Sequence, residues 1–154
     1  MSRRFVFALE PVLDQRERVE AEKQRVLAQR QRALNEAKAN LEGLHADFRL
    51  HSRALRDDHR SFTTEQLRLH YAHLEYLDRS VTASEHVVVA RQLDFDRARV
   101  DLLEAAKERK AIEKLKENRH ASHIAEENAV EQGELDDANA RRFGRARLEH
   151  GSIL

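Results

Sequence analysis

Apolar residues recur every seven positions along two stretches of the chain. Leu27, Leu34, Leu41, Phe48, Leu55 and Phe62 form one string, and Leu67, Leu74, Val81, Val88, Phe95 and Leu102 form the other. A heptad repeat keeps a narrow stripe on one side of a slightly underwound helix, so each string marks a coiled-coil seam. The two strings mirror each other about a point between residues 64 and 65: Phe62 answers Leu67, Phe48 answers Val81 and Leu27 answers Leu102. An antiparallel hairpin has that symmetry. The expected fold is all-α, with two long helices forming an antiparallel coiled-coil hairpin, the second helix longer than the first.

Local signals place the boundaries. Pro11 suits a first helical turn, where its missing N–H has no partner to lose. Thr63 is a candidate N-cap, and Gln66 three residues on can complete a capping box. The expected chain is a single coiled-coil domain over residues 1–154. Helix one covers about 11–58, the turn about 59–63, helix two about 64–142 and a frayed tail 143–154. Ahead of Pro11, Phe5, Phe7 and Leu9 alternate with other residues, as an extended lead-in or one more loose turn of helix. Helix two must outrun helix one, leaving an unpaired tail beyond residue 118 or so. Gly43 sits mid-helix, as a weak spot or a point of close approach, and costs about 1 kcal/mol relative to Ala. The mirror register sets Leu44 opposite Glu85, His51 opposite Asp78 and Arg30 opposite Arg99. Every second layer is therefore polar, a pattern that trades stability for register.

Composition agrees with an extended helical protein. Charged residues make up 36% of the chain and aromatics 5%, with one Pro and four Gly. That is too polar for a globular core, while 40% hydrophobic content argues against disorder. Lys plus Arg and Asp plus Glu balance at 28 each, which argues against a nucleic-acid partner held by phosphate neutralisation. No run of about 18 apolar residues marks a membrane span. The basic start with its short apolar run ends at Glu10 and Pro11, and lacks the form of a signal peptide. With no Cys, thiol chemistry is excluded.

Candidate chemistry is thin. His70 and His73, and His120 and His123, are i,i+3 pairs close enough to share an ion, but no Cys or carboxylate cluster completes a shell. Surface histidine is the plainer reading, so no metal and no cofactor are expected. No G-x-S-x-G, phosphate loop or H-E-x-x-H is present, and a two-helix rod offers no dry pocket in which to tune an acid or base. Neither enzymatic activity nor a catalytic residue is expected.

Both ends carry a family pattern. Phe7-Ala8-Leu9-Glu10-Pro11-Val12-Leu13-Asp14-Gln15-Arg16-Glu17-Arg18-Val19-Glu20 resembles the opening of the FliJ family of flagellar export proteins. Lys110 to Arg119, then Glu126-Glu127 and Glu131 to Ala138, is similar to that family's second signature, with Asp136-Asp137 where Asp-Glu is common. The resemblance implies a non-enzymatic, stalk-like component of the flagellar type III export apparatus, serving flagellum assembly and hence motility and chemotaxis. It implies a cytoplasmic protein, peripherally associated with the inner membrane at the flagellar base and monomeric when free. Its implied partners are the export ATPase hexamer, the cytoplasmic domain of the export-gate membrane protein and export chaperones. Carried onto this chain, the ring-facing residues are Leu9, Pro11, Leu13, Arg16, Glu113, Leu115 and Arg119. The gate-facing ones are Tyr71, Tyr76 and Leu77, although Leu77 also shares a seam row with Ala98, Ala105 and Ile112. Two other readings stand beside this one: the equivalent stalk protein of a virulence secretion system, and a generic coiled coil that homodimerises by pairing helices between chains.

Overall fold

The structure, a computed structural model, describes residues 3–151. Two helices account for nearly all of them: α1 (Glu10–Asp58, 49 residues) and α2 (Thr64–His150, 87 residues). The protein is an all-α antiparallel helical hairpin with the longer helix second.

The helix ends follow from local chemistry. The Glu10 N–H donates to the Phe7 carbonyl at 3.1 Å and the Leu13 N–H to the Leu9 carbonyl at 3.0 Å. Pro11, in that first turn, removes no bond, and Glu10 puts negative charge at the positive end of the helix dipole. At the hairpin the Ser61 N–H and hydroxyl both donate to the Asp58 carbonyl, at 2.9 and 2.7 Å. Thr63 then caps α2. Its Oγ1 accepts from the Gln66 N–H at 3.2 Å, and its own N–H donates to Gln66 Oε1 at 2.9 Å. This is the reciprocal capping box read from the sequence, and α2 starts at the expected residue.

The far end of α2 differs from expectation. The helix runs through Gly144 to His150 instead of stopping near Arg142, and closes with the Gly151 N–H on the Arg147 carbonyl at 3.1 Å. A helical glycine costs only about 1 kcal/mol, and the Arg, Ala and Leu around it are good helix formers. Residues 152–154 of the expected tail lie outside the described residues.

The chain's contacts gather into two compact units, Arg18–Ala106 and Met1–Glu17 with Lys107–Leu154. In the first, all twelve string residues from Leu27 to Leu102 are buried or half-buried. The deepest positions are Leu34, Ala37, Leu55, Leu77, Ala98 and Ala105. Three of these six, Leu77, Ala98 and Ala105, belong to the second row of α2 rather than to its leucine and valine string.

Ring contacts cross between the helices on either side of the mirror layers. The rings of His51 and His73 meet edge to face with centroids 4.5 Å apart, where the mirror register set Asp78 opposite His51. Phe62 packs on His70, centroids 4.5 Å apart, one turn from Leu67. Leu55 and Leu74, opposite each other in the mirror register, line one groove. A seam knob inserts among four residues of the facing helix, so it also meets neighbours of the residue opposite. On the outer face Arg25 donates to Glu22, from Nη2 at 2.8 Å, and this holds the Glu22 carboxyl below its ordinary range.

Candidate interaction site

The second unit brings the start of the chain onto α2. Residues 3–7 are non-helical and lie beside α2 from Lys116 to Glu127. Phe7 is the anchor. It is 6% exposed, with the Lys116 ammonium 6.0 Å and the Arg119 guanidinium 5.9 Å from its ring centroid. Cations at that distance from an aromatic face are attracted by its quadrupole. Phe5 sits two residues earlier, 4.9 Å from the ring of His120 and 5.6 Å from that of His123. His123 Nε2 is 2.8 Å from the Arg3 carbonyl, and the Arg3 N–H donates to Glu127. In extended chain, residues two apart point the same way, so the alternation of Phe5 and Phe7 is an extended lead-in rather than a helical turn.

Ion pairs continue the contact into α1. Glu10 Oε2 lies 2.7 Å from Lys116 Nζ, and Arg16 Nη1 lies 2.6 Å from Glu108 Oε2. These pairs are half-exposed and worth little singly. Their value is in register, because each demands one alignment of the two segments. The sequence expected α2 to be alone beyond residue 118; the lead-in covers it as far as Glu127.

The seven residues expected to face a ring fall in this unit, in different surroundings. Leu13 is 5% exposed and belongs to the packed core. Arg16 is held by Glu108, and Glu113 pairs with Arg109 along α2 at 2.7 Å. Leu9 and Leu115 are half-buried, while Pro11 and Arg119 are exposed. Arg119 over Phe7 ties the two signatures together. Sequence reasoning missed Phe7, Phe5 and His123, although the alternating aromatics and the histidine pair were visible.

Near the hairpin end, Tyr71 and Tyr76 are 62% and 64% exposed, but Leu77 is 4% exposed. Leu77 is a seam residue and leaves the expected exposed patch. The histidines also have packing roles: His70 lies on Phe62, and His73 lies on His51 and stacks near Tyr76.

The pattern of both ends, spliced by this packing, has a counterpart among known families. Residues 5–148 match the family described as flagellar FliJ protein. The chain belongs to the FliJ family. That match takes in the N-terminal lead-in from Phe5, all of α1 and all but the last two residues of α2. Membership makes the chain a structural component of type III protein export. A solved structure of a YscO homologue from Chlamydia trachomatis is similar in fold, with a TM-score of 0.50 and 23% identity. The likeness covers 94% of this chain and 99% of that one. No curated protein matches the chain in sequence. No helix among the described residues is long and apolar enough to cross a membrane.

Proposed function

We propose that this FliJ-family chain is the non-enzymatic stalk of a flagellar export ATPase. It binds the hexameric ring through the unit formed by its two ends, and links the ring to the export gate and to export chaperones. The match over residues 5–148 carries the reading, and it favours a flagellar over a virulence role. The geometry supports the rest. Phe7, Leu13, Arg16 and Arg119 gather residues from both family signatures into one folded patch, and Pro11 and Arg119 stay exposed on it. A helical element in a ring transmits ring state when its side-chain contacts differ between states, and it needs no catalytic group for that. The exposed Tyr71 and Tyr76 are the gate-facing residues of the reading. The site of action is the cytoplasmic face of the inner membrane at the flagellar base.

A pull-down with the cognate export ATPase tests this. The chain lacking residues 1–13 loses Phe5, Phe7 and Leu13 but only four residues of α1. Ring binding should fall at least tenfold while helix content by circular dichroism stays nearly unchanged. Equal capture of both forms would refute the ring-facing assignment.

A further inference from the structure

Beyond Glu127 every residue of α2 to His150 is exposed. Val130, Glu134, Asp137, Arg141, Gly144 and Leu148 recur at alternating steps of four and three along it, so they share one helix face. Val130 and Leu148, its apolar ends, are 61% and 77% exposed. The face continues the row of Lys116 and His123, which the N-terminal segment accompanies on α2 only as far as Glu127.

Charge is segregated along this stretch. Glu131, Glu134, Asp136 and Asp137 precede Asn139, and Arg141, Arg142, Arg145 and Arg147 follow it. The order reverses symmetrically about Asn139: Asp137 and Arg141 are equidistant from it, as are Glu134 and Gly144, and Val130 and Leu148. Asp137, Arg141 and Arg145 make no hydrogen bond or ion pair among the described residues.

We propose that this segment is a docking face for a second copy of the chain, laid antiparallel about Asn139. Each apolar or charged position then inserts between residues of the facing copy, as knobs do into holes. Val130 meets Leu148 of the second copy at both ends, and Asp137 meets Arg141 in two central layers. Glu134 comes against Gly144, where the absent side chain leaves it room, and Glu131 flanks Arg145. The charge order selects this occupant. An antiparallel copy meets opposite charge along the segment, whereas a parallel copy meets its own sign. An anionic surface suits only the arginine half and is repelled by the acidic half. Each hairpin stays closed within its own chain, and the contact does not depend on ring binding.

The interface is small and half electrostatic, so the association is weak and salt-sensitive. Sedimentation equilibrium of the full chain tests it, at low salt and up to about 1 mM protein. The average mass should rise with concentration from the 18.0 kDa of one chain toward twice that value. Arg141→Glu sets two carboxylates against each other in the central layers, and Asp137→Arg sets two guanidinium groups against each other there. Each variant alone should therefore associate at least tenfold more weakly. In an equimolar mixture of the two, each new carboxylate faces a new guanidinium and Asp137 of one copy keeps Arg141 of the other. Both ion pairs are restored, and the mixture should associate within about threefold of the unmodified chain. A wild type that stays monomeric throughout, single variants that associate normally, or a mixture that fails to recover would each overturn the proposal.

Discussion

At the scale of single residues, the structure separates side chains that pack from those that only look conspicuous. Gly43 could have been a weak spot or a point of close approach. A Cβ built there meets nothing within 4 Å, so it is a weak spot. Gly43→Ala should raise stability by about 1 kcal/mol, read as a higher melting temperature with unchanged helix content. Phe7 is the opposite case. It has the burial of a core residue although it precedes the first helix. Phe7→Ala should cost about 3 kcal/mol locally and release the lead-in. Amide exchange at residues 5–9 and along α2 near Lys116 should quicken, while α1 and α2 around His51 and His73 keep their protection. Leu77 was ambiguous in sequence, because a leucine beside Tyr76 serves a patch and a seam equally well. Only its depth assigns it.

At the scale of elements, most of the fold was legible. The two heptad strings gave both helices, and Thr63 with Gln66 gave the start of α2 to the residue. Register was harder to read. A mirror symmetry of like residues shows the two strings but not the second row of α2, Leu77, Ala98 and Ala105, which is buried more deeply than its leucine and valine string. Two of these are alanines, which carry little periodic signal. The lead-in was half legible, since period-two alternation over Phe5, Phe7 and Leu9 fits extended chain but cannot say what it covers. Phe48 tests the seam itself. Phe48→Asp places a carboxylate in a half-buried seam layer, and should cost about 2–4 kcal/mol and lower the melting temperature by several degrees. An unchanged melting curve would contradict the register.

At the scale of the whole molecule, family membership says what to measure. The chain devotes its length to two helices and a folded junction of its ends, and the FliJ match spans all of these. For a structural component of protein export, binding and stoichiometry are the informative readouts. The family pattern was readable at both ends of the sequence, because Phe7 to Glu20 and Lys110 to Ala138 are motif-like. Partner-facing residues were not, because partner contacts leave no periodic trace in one chain. The proposed stalk role also implies a fixed stoichiometry. A single axial element fits a ring once, whatever the number of ring subunits. Native mass spectrometry of the full chain with the proposed partner, an export ATPase hexamer, measures this directly. One chain per hexamer is the predicted result, whereas six chains, one on each subunit, would contradict a stalk.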